Sequence, residues 1–208
     1  GADAKEIERG LKTETRIGPR AYLSPGGPFA GGTLARDIAF LDTESQSNNL
    51  ITPLLSAVRA SNDEHKHWVR RKLQQRFGTL VGVTIAIWGL TYKPGTDTLR
   101  RSLSVELCDW LLTQGAQLRV YDPAVKRLPQ NWAGKVVHCA TPLDAVMDAL
   151  VLVVGTEWSE FKKAASGLIG RAYSDLLVVD ANRHLEAQVS QHGFNYLAVG
   201  TPSNFGVK

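Results

Sequence analysis

The chain has 208 residues, 43% of them hydrophobic, and carries a formal charge of +4 with a pI near 9.1. That length supports one sizeable core, or one α/β domain with a smaller helical piece. No apolar run approaches the roughly 20 residues of a membrane span and no signal-peptide pattern opens the chain, so the expectation is a soluble, cytoplasmic protein without a membrane partner.

Residues 2–11 read as the end of a helix with no start of its own, which suggests a fragment. The run Gly26-Gly-Pro-Phe-Ala-Gly-Gly-Thr-Leu-Ala-Arg-Asp37 then crowds glycines and a proline into a loop that gives way to a helix. Glycine has no Cβ and lets backbone N–H groups approach an anion closely, and Thr33 is suited to cap the helix. A helix N-terminus beside freed amides attracts phosphate or carboxylate. Taken alone, the same loop reads equally as a tight structural turn.

From Leu50 to Phe77 one long helix is expected, with Ile51, Leu54, Leu55, Val58, Trp68 and Leu73 near one stripe. Its basic stretch, His65 to Arg76, is a solvated face rather than a nucleic-acid surface, because no recognition motif accompanies it. His65 and His67, two apart on a helix, point to different sides and make a poor metal pair. Gly78 to Gly82 is a break, dividing the chain into residues 1–78 and 79–208.

Beyond the break the pattern alternates. Val83 to Gly89 is a strand, followed by a loop carrying Lys93 and Asp97, a helix over 103–112, Gly115 as a stop, and a strand from Gln117 to Asp122. A helix over 141–149, a strand over 150–154, a helix over 158–164 and a strand over 176–180 repeat the theme. Near-continuous apolar strands indicate burial on both faces. The expected class is α/β: a Rossmann-like, doubly wound parallel sheet preceded by a helical segment. Lys93, just past the carboxyl end of a strand, sits where such sheets bind ligands. Asp122 occupies the place of a ribose-binding acid, but Gly89-Leu-Thr-Tyr-Lys93 lacks the GxGxxG fingerprint, so no dinucleotide is assigned to this sheet. Cys108 and Cys139 lack CxxC spacing and read as buried free thiols; no zinc site or disulfide is expected.

Arg16-Ile-Gly-Pro, Leu23-Ser-Pro-Gly26, Phe29-Ala-Gly-Gly32, Arg36-Asp37, Gly89 to Asp97, Arg100, Ser102, Tyr121-Asp-Pro123, Thr156-Glu-Trp158 and Asp180 occur in the order seen in the UDP-glucose and GDP-mannose dehydrogenases. The resemblance runs from about residue 2 to the region of Gly200. It implies a central helical dimerisation segment plus a C-terminal nucleotide-sugar-binding domain, with the NAD-binding domain outside the chain and a homodimer formed through residues 50–77. Such enzymes oxidise the C6 hydroxyl of a UDP- or GDP-sugar in two hydride transfers to NAD, through an aldehyde held on a cysteine thiolate, to a uronic acid. On this resemblance Arg16, Tyr22, Leu23, Phe29, Gly31, Gly32, Tyr92, Lys93 and Arg183 bind substrate, Arg16 reaching a neighbouring subunit. Arg100 faces the cofactor's phosphates, and Thr33, Asp37 and Lys93 are the catalytic set, with Asp37 orienting the hydrolytic water.

The chain also departs from that pattern. Thr33 stands where the nucleophilic cysteine is expected, and neither Cys108 nor Cys139 is near. A threonine hydroxyl is a weak nucleophile without a base. Ala30 replaces a glycine, the chain from Arg16 to Asp37 is one residue longer, and Ala181-Asn182 precede Arg183, displacing the phosphate-binding arginine by one position. Three readings follow: the substrate half of a dehydrogenase, inactive alone; a non-catalytic nucleotide-sugar-binding module; or a dimerisation domain.

Overall fold

The computed structural model describes residues 2–29, 32–170 and 175–202. Helix α1 (Ala4–Thr13) has its own start: the Asp3 carboxylate caps it, accepting from the backbone N–H of Lys5 at 2.8 Å and of Glu6 at 3.3 Å. The expectation of a helix without a beginning is therefore corrected. After the glycine-rich segment comes α2 (Thr33–Ser47), whose N-cap is Gly32 with no side-chain cap bond. Thr33 is the first helical residue and does not cap.

The single helix expected from 50 to 77 is two, α3 (Pro53–His65) and α4 (Trp68–Phe77). Between them the His67 N–H turns back to the Glu64 carbonyl at 3.1 Å, a three-residue closure that tightens the chain and redirects it. Packing explains the break. Leu73 on α4 is fully buried in the core, with Trp68, Val69 and Phe77 packed beside it, whereas Ile51 and Leu54 before and on α3 stay 94% and 75% exposed. The apolar stripe read along one helix thus serves two surfaces.

Strands β1 (Thr84–Trp88), β2 (Gln117–Tyr121), β3 (Val136–His138), β4 (Val151–Val154), β5 (Leu177–Val179) and β6 (Asn195–Leu197) form one parallel sheet in the order β3-β2-β1-β4-β5-β6. Consecutive side chains of a strand point to opposite faces. Accordingly Ile85, Ile87, Val151, Val153, Leu177 and Val179 enter one core with α4 and with α5 (Leu103–Thr113). Ala86, Trp88, Leu152, Val154 and Val178 enter the other, with α6 (Pro142–Val146), α7 (Ser159–Ala165) and α8 (Glu186–Val189). Trp88 stacks at a tilt on Phe161, ring centroids 5.2 Å apart, and donates its indole N–H to the Pro142 carbonyl at 2.8 Å. Helices on both faces of a parallel sheet are the doubly wound arrangement. Cys108 and Cys139 are buried free thiols, both pushed up in pKa by desolvation.

Candidate ligand-binding cleft

In this strand order β1 and β4 are neighbours whose connections run in opposite directions, and ligands of open α/β sheets bind beyond the carboxyl ends at such a point. Two glycines open the place. Gly89 leaves β1 with φ at 92°, and a Cβ there would strike the backbone of Thr156; a Cβ on Gly155 would strike the Gly89 carbonyl and Ser104.

The loop after β1 is then tied down. Asp122, 3% exposed, accepts through Oδ2 from the Leu90 N–H at 2.7 Å, the Thr91 N–H at 3.0 Å, the Thr91 hydroxyl at 3.1 Å and the Trp158 indole at 3.2 Å. Its Oδ1 takes the Ala124 N–H at 2.9 Å. The Thr156 hydroxyl donates to the Thr91 carbonyl at 2.5 Å, and Ser102, the N-cap of α5, donates to the Leu90 carbonyl at 2.6 Å. An acid that could have held a ribose is instead committed to holding this turn.

Beyond the turn a cleft of about 320 Å³ is lined by Gly27 and Pro28, by His65, Lys66 and Trp68 at the α3–α4 break, and by Thr91 to Pro94, Gly155 to Glu157 and Asn182. The Lys93 ammonium lies 5.5 Å from the Tyr92 ring centroid, and among the described residues no carboxylate is within ion-pair distance of it. Lys66 is paired with Asp63 at 2.7 Å. A cation poised over an aromatic face beside a glycine loop is chemically suited to an anionic ligand with a planar or hydroxylated body.

Of the residues singled out in the sequence, Tyr92 and Lys93 line this cleft, and the glycine-rich loop reaches it through Gly27 and Pro28. Phe29 flanks it, half-buried. Gly31 lies outside the described residues. Gly32, Thr33 and Asp37 belong to the start of α2 and do not line the cleft; Asp37 is in the second turn, exposed, 3.5 Å from Arg36. Tyr22 is wholly exposed, Leu23 is 41% exposed, and Arg16 pairs with Glu14 at 2.9 Å on the surface. Arg100 is exposed in the turn before α5.

Arg183 faces elsewhere. Its side chain, 4% exposed, grips Asp3 with Nη2–Oδ2 at 2.9 Å and Nη1–Oδ1 at 3.2 Å, and reaches Glu186 at 3.4 Å, tying α1 to the segment after β5. Asn182 takes the place at the cleft. The hydrogen bond from Arg183 holds the Asp3 carboxyl below its ordinary pKa, with the Lys5 and Glu6 amides adding to it. A depressed folded-state pKa means stability present above the unfolded value of about 3.9 and lost as pH falls through the lower folded value. Thermal melts of Asp3→Asn are expected to show a flatter acid limb below about pH 4 than the unaltered chain, and identical limbs would show that the pair contributes nothing.

Residues that the sequence did not point to hold the loop. The Asn62 carboxamide accepts from the Phe29 N–H at 2.9 Å and donates to the Phe29 carbonyl at 3.1 Å. His65 Nε2 lies 2.8 Å from the Gly26 carbonyl, and Asn182 Oδ1 accepts from the Gly27 N–H at 2.6 Å. The one available signal was Asn182, visible as a departure from the family pattern.

Two models of one family match the chain: the central domain of the UDP-glucose/GDP-mannose dehydrogenases over residues 1–64, and their UDP-binding domain over 86–187. The chain belongs to the UDP-glucose/GDP-mannose dehydrogenase family. It is 31% identical over 210 residues to the UDP-glucose 6-dehydrogenase of Pseudomonas aeruginosa, covering 97% of this chain and 46% of the relative. To the enzyme of the same name from Rickettsia prowazekii it is 31% identical over 205 residues, 97% and 47% covered. It thus spans about half the length of these relatives. In fold it is similar to a UDP-glucose dehydrogenase of the archaeon Pyrobaculum islandicum, with a TM-score of 0.77 at 23% identity over 96% of this chain and 44% of the other. In this chain the cleft falls between the two matched domains: Gly27 and Pro28 come from the central one, Lys93 and Asn182 from the UDP-binding one.

Proposed function

We propose that this chain is the substrate-binding part of an NAD-dependent nucleotide-sugar 6-dehydrogenase, acting on the C6 hydroxyl of a UDP- or GDP-sugar on the way to a uronic acid. A helical dimerisation segment, α1 to α3, precedes the nucleotide-sugar-binding domain; the division expected at residue 78 moves ahead of α4, because Leu73 and Phe77 pack into the sheet core. The observation that carries this reading is the shared cleft of the glycine-rich loop and Lys93 at the β1–β4 switch. There Lys93 supplies positive charge to the pyrophosphate and Tyr92 an aromatic wall, while Arg16, Tyr22, Leu23 and Phe29 complete the site when the ligand and a second subunit are present.

The residues of this sheet do not fit NAD: the fingerprint loop is missing and Asp122 is fully engaged with Leu90, Thr91, Ala124 and Trp158. The cofactor is therefore assigned to another part of the protein, with Arg100 facing its phosphates. Thr33 and Asp37, four residues apart, share one face of α2. Without a thiol at Thr33, water oriented by Asp37 takes the place of covalent capture of the aldehyde. The second reading, a binding module without redox chemistry, is favoured by the exposure of Thr33 and by its place outside the cleft.

Calorimetric titration with UDP, GDP and their sugars tests the proposal. Lys93→Ala is expected to weaken the tightest of these by about 10- to 100-fold, the worth of one charge-assisted contact. Unchanged affinity would remove Lys93 from the site, and no binding at all would leave only the dimerisation role. That role rests on Phe40, Ile51 and Leu54, exposed apolar residues of the α2–α3 hairpin. Sedimentation at micromolar concentration is expected to give a dimer, and a monomer would overturn it.

A further inference from the structure

A loop that presents its backbone to a ligand has no sheet partner for its own N–H and C=O groups, so something else must fix it. Here the segment from Gly26 to Phe29 is held by side chains from two sides. From α3, Asn62 brackets Phe29 with both a donor and an acceptor, and His65 meets the Gly26 carbonyl. Asn62 is 8% exposed, unusual for a carboxamide in a helix, and both its polar atoms go to this one residue. From the sheet, Asn182 takes the Gly27 N–H, while its own amide N–H donates to Glu157, which decides the carboxamide's orientation. The fit is close: a Cβ on Gly26 would run into the Asn182 carboxamide.

We propose that Asn62 and Asn182 are positioning residues that clamp the glycine-rich loop between α3 and the carboxyl ends of β4 and β5, setting the wall of the cleft opposite Lys93. The ligand chemistry it serves, a nucleoside diphosphate, rests on the reading above; the clamp itself does not. Arg183 turns away to Asp3 and Glu186 and leaves Asn182 facing the loop. A neutral amide rather than a guanidinium faces the cleft there, so charge neutralisation falls on Lys93.

Hydrogen exchange in the intact chain tests the clamp without a ligand. In Asn62→Ala the Phe29 amide, and in Asn182→Ala the Gly27 amide, should exchange about tenfold faster or more, equivalent to about 1.4 kcal/mol, while β1 amides keep their protection. Unchanged exchange at these amides with β1 intact overturns the proposal. Should Asn62→Ala lose protection throughout, Asn182→Ala and Glu157→Gln decide, since both alter side chains at the cleft rim. Titration with UDP adds the functional readout. The expected result is weaker UDP binding in Asn182→Ala at an unchanged unfolding midpoint, and undiminished affinity overturns the positioning role. If the unaltered chain takes no UDP, the nucleotide reading fails and the exchange result alone judges the clamp.

Discussion

Replacing Gly89 by alanine lowers the free energy of unfolding by about 3 kcal/mol or more, read as a fall in the urea midpoint. Two costs add. At φ 92° an L side chain is strained, and the new methyl meets the backbone N and Cα of Thr156 rather than the tip of a movable side chain. Relief requires β1 and β4 to part at their carboxyl ends, where the Gly155 N–H bonds to the Trp88 carbonyl at 2.8 Å. The variant should therefore lose nucleotide affinity as well as stability. A midpoint shift worth less than about 0.5 kcal/mol would show that the glycine is not required there.

Asp122→Ala should cost about 3–5 kcal/mol, because it strands buried donors that have no other partner within the turn. The carboxylate is acceptor-only, and the groups around it, the N–H of Leu90, Thr91 and Ala124, the Thr91 hydroxyl and the Trp158 indole, all donate. Asp122→Asn keeps one oxygen and turns an NH₂ toward a donor, so it should recover part of the loss and no more. The second readout is the cleft. With the turn from Leu90 to Thr91 released, Lys93 no longer projects from a fixed base, and UDP affinity should fall with the stability. A stable Asp122→Ala protein with intact binding would contradict the role given to this residue.

What the sequence made legible is what periodicity encodes. The apolar runs at 85–88, 151–154 and 176–179 are buried on both faces, and their strands were readable for that reason. Strands β3 and β6 were not: each has three residues, lies at a sheet edge and is partly exposed, leaving no pattern to detect. The break between α3 and α4 is invisible in Lys66 and His67, which favour helix well enough. It follows from Leu73 and Trp68 being drawn to the sheet while Asn62 and His65 are drawn to the glycine loop.

At the cleft, Lys93 was legible because a residue just past a strand's carboxyl end has a fixed place in this architecture, while Tyr92 entered through the family resemblance. Arg183 was not, since which of two neighbours faces the cleft depends on its backbone turn, with φ at 59°, and on Asp3 far away in sequence. Asp122 shows why an acid ending a strand is ambiguous: only the direction of its carboxylate distinguishes a ribose ligand from an internal brace.

The split of β1 between two cores governs where this protein can tolerate a change of length. Removing one residue from Thr84–Trp88 would swing Ile87 toward Phe161 and Trp88 toward Leu107, so every later side chain of the strand would arrive in the wrong hydrophobic layer. The stretch from Arg16 to Leu23, ahead of the clamped segment from Gly26 to Phe29, contains no ladder and can absorb such an event. Insertions and deletions accumulated in evolution are thus expected to have collected around the mouth of the site, leaving the sheet beneath it in frame.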